Sequence, residues 1–524
     1  MTFAFESFEL DPALRELRVD GKVAALQPQV FDLLVYLVEN RERVVSKHEL
    51  LESLWPDSVV TESSLQRAVS LARSALGERG AALIQTFPRQ GYRFTGAIAE
   101  KKAASGPIRL QPKYTKNGDV HIAYTTFGSG DIDIVIVNGW IMPMRAMFHH
   151  PRVRGAMEAL SQLGRVIMLD KRGTGLSDRV KSLPSHEQRM DDLRVVLEAC
   201  ESDEAVLIGF SEGGALAMLY AATYPERTRG LVLSGAFPRM TKAAGYPHGY
   251  ASEAMVRLRS YIQGGWGKGA SLRAISPSQG TDPVFVDWVA FAEQEGTSPG
   301  GALDLLDMNL RIDLRALLPS IRVPTAVLQA SDDQMVDPRS GSYLAEHIPS
   351  ARYTELEGDD HIFFFGGREA MLESVRWVID QERIPVEEDR FLSTALVVDA
   401  PADADRSVWQ ERVSHFKGRI VTGTWRAYFD GPIRALRCGA EVAEALDARC
   451  GVHTGEVVRV GADASGPAFD VAASLATGAS AAELRASRIV VDLVPGSDLA
   501  FRPAEASITI GDRETEVYSV TSES

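Results

Sequence analysis

The segment from 205 to 222 most constrains how this chain can fold. A short apolar run, 205–208, is followed by Gly-Phe-Ser-Glu-Gly-Gly at 209–214 and then by an apolar, alanine-rich stretch, 215–222. The first run predicts a buried strand and the last a helix, while the glycines between them allow a sharp turn. A serine at such a turn, Ser211, is lifted above the edge of a sheet. We therefore expect a domain of sheet and helices with a candidate nucleophile at the carboxyl end of a strand.

Apolar runs recur along the middle of the chain in the order expected for a layered sheet. Between them lie stretches with helical spacing of apolar residues, an alternation that is typical of a parallel sheet with crossover helices. We predict a mostly parallel, doubly wound sheet within 109–384. The runs identified as its strands are, in chain order, 134–137, 166–169, 205–208, 231–233 and 325–328.

Three further features follow the ends of these strands. The sequence Asp-Lys-Arg-Gly-Thr-Gly-Leu-Ser follows the second strand at 170–177, Asp333 follows the fifth, and His361 follows another short strand-like run. Together with the Gly-x-Ser-x-Gly turn around Ser211, the chain order Ser, Asp, His resembles that of the α/β-hydrolase family. The resemblance covers about 109–383 and implies an α/β-hydrolase fold.

The resemblance implies a role for each member of this set. Ser211 is the nucleophile, His361 accepts its proton, and Asp333 orients the imidazole and stabilises its charged form. Asp332 is an adjacent alternative for the acid, although the family pattern places the acid one residue later. The reaction class that a serine at this turn supports is acyl transfer, meaning hydrolysis of an ester, lactone or thioester.

The oxyanion of such a reaction needs backbone donors beside the serine. The resemblance implies the N–H of Glu212, directly after the nucleophile, and the N–H of Trp140, in the loop Asn-Gly-Trp at 138–140. Many relatives have His-Gly where this chain has Asn-Gly, so the predicted oxyanion hole departs from the family pattern at this point.

A long insertion, about 238–310, separates the fourth and fifth strands. In this fold an insertion at this place forms a cap over the site and supplies the ligand pocket. Tyr261, Trp266 and Trp288 are predicted pocket and cap residues, and such aromatic side chains also hold a cap together. No cofactor and no metal site are expected, because the three cysteines of the chain are too few and too scattered to form one.

The first 100 residues have a different pattern. Apolar residues spaced three and four apart predict a helix over 30–38. Ser46 with Glu49 predicts a capping box that opens a second helix, and Thr61 is predicted to cap a third. A β-hairpin is predicted over 83–94. This order of elements resembles the winged-helix DNA-binding domain of the OmpR type.

In that family the third helix enters the major groove and the hairpin, or wing, lies on the minor groove. Between 63 and 95 this chain has five arginines and one acidic residue, although its formal net charge is -15. Short polar side chains and arginines suit phosphates and base edges, while the alternative interpretation is a solvated charged helix. The predicted contacts with double-stranded DNA are Ser63, Gln66, Arg67, Ser70 and Arg73 from the helix, and Arg89 and Arg93 from the wing.

The segment 385–524 resembles class III nucleotide cyclases in several short motifs. Asp399 lies where that family has its first metal-binding aspartate, but the second position is occupied by Gly423. The transition-state asparagine and arginine of the family correspond to Asp470 and Ser474. Two-metal chemistry cannot run on one carboxylate, so we predict a ferredoxin-like α+β domain that is a degenerate, inactive cyclase.

These segments predict a multidomain α/β protein, with cytoplasmic location expected because the N-terminus is acidic and no apolar run could span a membrane. The leading hypothesis is a transcriptional regulator that binds DNA and senses or hydrolyses a small acyl compound. The alternative is an active serine esterase or lactonase with accessory domains. A homodimer is a further hypothesis, because cyclases act as dimers. The predicted boundaries are 1–100 for the winged helix, 101–108 for a linker, 109–384 for the hydrolase-type domain and 385–524 for the cyclase-like domain.

Overall fold

The computed structural model describes most of the chain and divides it into two compact units, Met1–Arg109 and Leu110–Ser524. The predicted linker lies mostly outside the described residues, as does the start of the predicted third domain, although Lys101 ends a short strand. The residues not described are 1, 13–14, 20–21, 25, 56–60, 102–107, 182–183, 270–274, 350, 382–388, 462, 496, 511–512 and 523–524.

The first unit combines short strands with a group of helices. Its elements are β1 (Thr2–Phe5), β2 (Phe8–Asp11), β3 (Glu16–Val19), β4 (Lys22–Ala24), α1 (Pro28–Glu39), β5 (Val45–Ser46), α2 (Lys47–Leu54), α3 (Glu62–Ala75), α4 (Gly80–Leu83), β6 (Ile84–Phe87), β7 (Gly91–Phe94) and β8 (Ala99–Lys101). One sheet has the order β4-β3-β2-β1-β8, and the wing forms a second sheet, β5-β7-β6. Leu65, Ala68, Val69 and Ala72 are buried on α3, so its other face is left to solvent.

The two predicted helix caps of this unit form only in part. Ser46 accepts a hydrogen bond from the Glu49 backbone N–H at 3.1 Å, as a cap should. The predicted capping box is nevertheless wrong in its second half, because the Glu49 carboxylate accepts hydrogen bonds from Arg43 and Tyr36 instead. Thr61 occupies the N-cap position of α3, but its hydroxyl makes no capping hydrogen bond and lies 2.6 Å from the Ser63 hydroxyl.

The second unit begins with an eight-stranded sheet of order β16-β15-β14-β13-β11-β12-β10-β9. The five predicted strands form, and the sheet is parallel from β12 to β16. An antiparallel pair, β9 and β10, extends one edge and was not predicted. The strands are β9 (Lys113–Asn117), β10 (Val120–Phe127), β11 (Asp133–Val137), β12 (Arg165–Leu169), β13 (Ala205–Phe210), β14 (Thr228–Ser234), β15 (Thr325–Ala330) and β16 (Arg352–Leu356).

Both faces of this sheet are covered by helices. Along β11, Val135 and Val137 point into one apolar core while Ile134 and Ile136 point into another, because successive side chains of a strand face opposite sides. The helices are α5 (Met144–His149), α6 (Pro151–Leu160), α7 (His186–Ala199), α8 (Gly213–Thr223), α12 (Arg339–His347) and α13 (Arg368–Asp380). Between β14 and β15 lie the cap helices α9 (Ser252–Gly265), α10 (Pro283–Gly296) and α11 (Pro299–Arg311).

The C-terminal part of the second unit, from β17 onward, is an α+β arrangement with its own sheet. The sheet has the order β18-β19-β17-β20-β22-β24-β23, with β21 paired to β20. Its elements are β17 (Asp389–Asp399), α14 (Arg406–His415), β18 (Arg419–Ile420), β19 (Arg426–Phe429), α15 (Pro432–Leu446), β20 (Arg449–Val460), β21 (Asp463–Ser465), α16 (Pro467–Gly478), β22 (Leu484–Ser487), α17 (Arg488–Leu493), β23 (Leu499–Ile510) and β24 (Arg513–Ser522).

This C-terminal part packs directly on the eight-stranded domain. Leu392 and Leu493 belong to the same buried cluster as Leu193 of α7 and Leu219 of α8, and each is at most 7% exposed. The apolar core therefore continues across the boundary that the sequence suggested near 384. Among the described residues, no helix is long and apolar enough to cross a membrane.

Candidate active site and candidate nucleic-acid interface

Ser211 lies in a strained turn between β13 and α8. Its backbone has φ of 48°, which is unusual for a residue with a side chain, and its N–H donates to the Ser234 carbonyl at 2.9 Å. Gly213 follows where the chain has no room for a side chain, since a Cβ there would lie 2.2 Å from the Val137 carbonyl oxygen. The Gly-x-Ser-x-Gly sequence thus fixes a tight strand-to-helix turn with Ser211 at its apex.

His361 and Asp333 form a buried hydrogen-bonded pair beside this turn. His361 Nδ1 lies 2.7 Å from Asp333 Oδ2, and the two side chains are 8% and 1% exposed. Asp333 Oδ1 accepts from the backbone N–H groups of Met335 and Val336 at 2.8 and 2.9 Å. Asp332, in contrast, is exposed and accepts from the Ser331 hydroxyl. The structure therefore brings Asp333 to the histidine rather than Asp332.

The surroundings of Asp333 favour its charged form. Burial alone would raise the pKa of Asp333, but the interaction with His361 and the two backbone N–H groups outweighs it and lowers the pKa below the usual range. A carboxylate on Nδ1 fixes the imidazole with Nε2 directed away from Asp333. Ser211 and His361 line the same cavity.

The two predicted oxyanion donors, Trp140 and Glu212, line the same cavity as Ser211. Glu212 is the N-cap of α8, where helix N–H groups lack partners within the helix. Trp140 has φ of 44° in the loop after β11, and the loop closes through a hydrogen bond from Met142 N–H to the Gly139 carbonyl at 3.1 Å. Among the described residues, neither Trp140 nor Glu212 donates its backbone N–H to a protein acceptor.

The Glu212 side chain enters a buried ion cluster behind the turn. One carboxylate oxygen accepts from Arg189 Nη1 at 2.7 Å, and the other accepts from Lys171 Nζ. Burial opposes ionisation of Glu212, but these two cations lower the pKa of its carboxyl. Burial also lowers the pKa of Lys171 to about 8, although Glu212 partly restores it. The residue after the nucleophile is thus anchored through its side chain as well as its backbone.

An apolar cavity of about 160 Å³ lies over Ser211, Glu212 and Trp140. Trp288 lines it and donates its indole N–H to the Ala146 carbonyl at 2.8 Å. Its other apolar walls are Ile141, Met142, Met147, Phe210, Phe237, Met240, Leu258, Ile275, Met335, Ile362 and Phe364.

The other two predicted pocket residues hold the cap together instead of lining the cavity. The Tyr261 hydroxyl donates to Glu293 at 2.8 Å, and Trp266 donates its indole N–H to the Thr297 carbonyl at 3.0 Å. Both pack in a cap cluster with Phe237 and Met240, which themselves line the cavity. Of the two roles expected for Tyr261 and Trp266, the structure therefore shows the one that holds the cap together, while Trp288 is the one of the three rings that lines the cavity.

The polar face of α3 is partly as predicted. Ser63, Gln66, Arg67 and Ser70 are exposed on it. Arg73 differs, because its guanidinium donates within the domain to the Ile84 carbonyl at 3.0 Å and to the Thr86 hydroxyl at 2.8 Å.

The two wing arginines also differ from each other. Arg89 is exposed at the tip of the hairpin with φ of 66°. Arg93 is half-buried and donates from Nε to the Arg41 carbonyl at 2.9 Å. Arg73 and Arg93 thus stabilise the domain that presents Arg67 and Arg89, a distinction that residue type alone does not reveal.

The positions compared with cyclase residues hold no catalytic arrangement. Asp399 is paired with Arg449, and Gly423 lies in a turn with φ of 73°. Ser474 donates to the backbone carbonyl of Asp470, one turn earlier on α16. Across the described part of the chain, no group of three or more His, Cys, Asp or Glu side chains is arranged to hold a metal ion.

Comparisons with known proteins agree with two of these architectures. Residues 145–364 match the family model "Serine aminopeptidase, S33", and residues 21–94 match "Transcriptional regulatory protein, C terminal". The chain is 30% identical to "Putative carbamate hydrolase RutD" of Azorhizobium caulinodans over 48% of this chain and 91% of that protein. It is 28% identical to "AB hydrolase superfamily protein YisY" of Bacillus subtilis over 45% of this chain and 87% of that protein.

An esterase of Exiguobacterium antarcticum, whose structure is solved, is 23% identical with a TM-score of 0.46 over 52% of this chain and all of that one. From the sequence relatives, the chain belongs to the α/β-hydrolase family. At its N-terminus it also carries a DNA-binding domain of the transcriptional-regulator type.

Sequence reasoning missed three side chains that support the candidate site. Gln329 is buried beside Asp333, and Lys171 and Arg189 hold Glu212. Lys171 lies within the Asp-Lys-Arg-Gly motif, and a buried acid at 212 next to the serine was a signal that a cation must lie nearby. No sequence signal indicated Arg189, because its partner Glu212 is distant along the chain. None indicated Gln329, because no motif links it to Asp333, four residues later.

Proposed function

We propose that the protein is a transcriptional regulator that binds double-stranded DNA through its winged helix and binds and hydrolyses a small acyl compound in its α/β-hydrolase domain. The observation that carries the proposal is the presence, in one chain, of a transcriptional-regulator domain at 21–94 and of an apolar cavity lined by Ser211 and His361. In this proposal the regulator domain binds DNA, and the cavity binds the compound to which the regulator responds.

In the proposed reaction Ser211 attacks the acyl carbonyl while His361 takes the serine proton through Nε2. The tetrahedral oxyanion is stabilised by the N–H groups of Trp140 and Glu212, which have no protein acceptor among the described residues. His361 then gives the proton to the leaving group, and the acyl-serine is hydrolysed by water. Asp333 keeps the imidazole oriented and stabilises its positive charge.

The cavity favours an uncharged, apolar acyl group. Its walls are mostly aliphatic and aromatic, and no lysine or arginine is among the described residues that line it, so an ionised acyl chain would lose hydration there without gaining a permanent counter-charge. The names of two relatives favour the same reaction class. One is the putative carbamate hydrolase, and the other is the pimeloyl-[acyl-carrier protein] methyl ester esterase of Neisseria meningitidis, 29% identical over 32% of this chain and 66% of that protein. We propose a carboxylic ester, thioester or lactone as the substrate.

The DNA-binding part of the proposal is tested by binding to the promoter fragment of the protein's own gene over a salt series. Arg67→Ala should weaken binding and reduce the slope of log K against log salt by about 1, because one phosphate contact is lost. Arg79→Ala is the matched control, since Arg79 is engaged with Glu6 at 2.7 Å. Wild-type affinity no higher than for random DNA would remove the regulatory function.

A second candidate function is a working hydrolase whose other domains are accessory, and the buried His361–Asp333 pair favours it. A pocket that only binds has no need of a proton acceptor beside a serine. Ser211→Ala separates the two functions. If the variant binds the acyl compound and still responds to it on DNA, hydrolysis is dispensable for regulation. If only ester turnover changes and DNA binding is nonspecific throughout, the hydrolase is the primary function.

We further propose that the part from β17 onward is a cyclase-type domain that has lost catalysis and acts in docking or in pairing of two copies. The ion pair between Asp399 and Arg449 supports the loss, because it occupies the carboxylate that a metal would need. Size-exclusion chromatography with light scattering tests pairing, with a homodimer as the expected result. A cytoplasmic location is consistent with a DNA-binding role and is tested by cell fractionation.

A further inference from the structure

Helix α7 lies between the C-terminal part and the candidate active site. On one side, Glu187 Oε2 accepts the Ile433 backbone N–H at 2.6 Å, at the start of α15. Arg434 pairs with Asp191, and its Nε lies 3.5 Å from Glu187 Oε1. Glu187 is 5% exposed, so this contact is part of the interior of the unit.

The C-terminal part and α7 lie so close together that position 431 has no room for a side chain. A Cβ at Gly431 would lie 2.3 Å from Cδ and Cγ of Glu187. The first turn of α15 therefore sits directly on α7, and any displacement of α15 must displace α7 or break these contacts.

The opposite side of α7 carries Arg189. Glu187 and Asp191 are four residues apart and share one helix face, whereas Arg189 lies between them and about 200° around the helix. Arg189 is 2% exposed and donates from Nη1 to Glu212 Oε1 at 2.7 Å. Its Nε and Nη2 have no hydrogen-bond partner among the described residues, so Glu212 is the group that compensates its buried charge.

We propose that Arg189 is a positioning residue for the oxyanion donor Glu212, and that the C-terminal part sets this position through Arg434 and α7. The proposal rests on the proposed hydrolase function. A backbone N–H stabilises an oxyanion only when it is correctly placed, and the side chain of Glu212 is tied to α7 through Arg189. Arg189 does not line the cavity, so it acts on the placement of the donor and not on ground-state binding of the acyl group.

The first test compares Arg434→Ala with Arg437→Ala in the full-length protein. Arg437 is on the same helix and forms an exposed pair with Asp498, so it is the matched control. With p-nitrophenyl butyrate we expect Arg434→Ala to lower kcat about tenfold with KM nearly unchanged, because small misplacement of a catalytic group costs up to ~10²-fold. Arg189→Ala should lower kcat further, and Arg189→Lys should restore part of it. Equal kcat in Arg434→Ala and Arg437→Ala would overturn the proposal.

The second test does not need turnover. Amide hydrogen exchange of peptides that cover 209–216 should be faster in Arg434→Ala than in the wild type and unchanged in Arg437→Ala, provided that all three proteins unfold at similar temperatures. If Arg434→Ala is poorly folded, Arg434→Gln replaces it. If the wild type hydrolyses no ester but exchange responds as expected, the proposed hydrolysis fails while the coupling is upheld. Unchanged exchange at 209–216 would exclude the coupling whatever the activity.

Discussion

Gln329 and His361 share one oxygen of Asp333. Gln329 Nε2 donates to Asp333 Oδ2 at 2.9 Å, and His361 Nδ1 lies 2.7 Å from the same atom. The other oxygen accepts two backbone N–H groups, so the carboxylate has four donors around it. Four donors fix the plane of the carboxylate and favour its ionised form, and both effects serve the orientation of the imidazole.

Gln329→Leu should lower kcat more than it changes KM and should lower the free energy of unfolding by about 1–3 kcal/mol at neutral pH. The pKa of Asp333 is below normal in the folded protein, so its stabilisation is present at neutral pH and is lost as pH falls through that folded pKa. The difference in stability between variant and wild type should therefore shrink in acid. Gln334→Leu, on an exposed neighbour, is the control. A difference that is constant with pH would argue against this role.

The assignment of the acid between two adjacent aspartates is directly testable. Asp333→Asn should lower kcat by about 10⁴, since the wrong tautomer of the histidine is then held. Asp332→Asn should retain close to wild-type kcat, because the Asp332 side chain is exposed and accepts a hydrogen bond from the Ser331 hydroxyl. Steady-state kinetics on a p-nitrophenyl ester measures both. A large loss in Asp332→Asn alone would reverse the assignment.

Lys171 should give the reaction an alkaline limit. The pKa of Lys171 is lowered to about 8 by burial, and loss of its proton leaves Glu212 with only Arg189 as counter-charge. We expect kcat to fall above about pH 8 in the wild type and to persist to higher pH in Lys171→Arg, whose cation does not titrate there.

The contribution of Lys171 to folding stability should rise over the pH range in which kcat falls. A lysine whose folded pKa is lowered binds its proton less tightly in the folded than in the unfolded state. Its contribution to the free energy of unfolding therefore improves as pH rises above about 8. Activity and stability that decline together over this range would point to general alkaline unfolding and not to Lys171.

Trp288 and Trp266 should differ in their effect on substrate choice. Trp288→Ala removes a cavity wall, so relative kcat/KM should shift toward longer acyl chains in a p-nitrophenyl ester series. Replacing this buried tryptophan by alanine also lowers the free energy of unfolding by about 3–5 kcal/mol. Trp266→Ala should leave the chain-length profile unchanged, because that ring is not among the residues that line the cavity. The same profile shift in both variants would mean that the cap repacks as a whole.

Arg73 should behave as a structural residue of the DNA-binding domain. Arg73→Ala removes its hydrogen bonds to Ile84 and Thr86 and should lower the free energy of unfolding of that domain by about 1–2 kcal/mol. Arg67→Ala should weaken DNA binding with little change in stability, since Arg67 is exposed. Differential scanning calorimetry beside a DNA titration distinguishes them. Equal stability of the two variants would contradict the structural role.

The sequence predicted those features that a local pattern determines. The apolar runs on both faces of β11 and β13 and the glycines around Ser211 each follow from steric or burial rules that act within a few residues. The β9–β10 pair was missed because its residues are partly exposed and lack a continuous apolar run. The hydrogen-bond partners of Tyr261, Arg73 and Gln329 could not be predicted, because they are set by packing between elements that the chain order does not reveal.

The continuous core around Leu392 and Leu493 has a consequence for how the gene can be altered. A chain cut near residue 381 would leave Leu193 and Leu219 without these two partners and would present apolar helix faces to water. The N-terminal unit has a core of its own and is exchangeable in principle for another DNA-binding domain. The C-terminal part is different, because its core is shared with the eight-stranded domain and it cannot be exchanged without rebuilding that core.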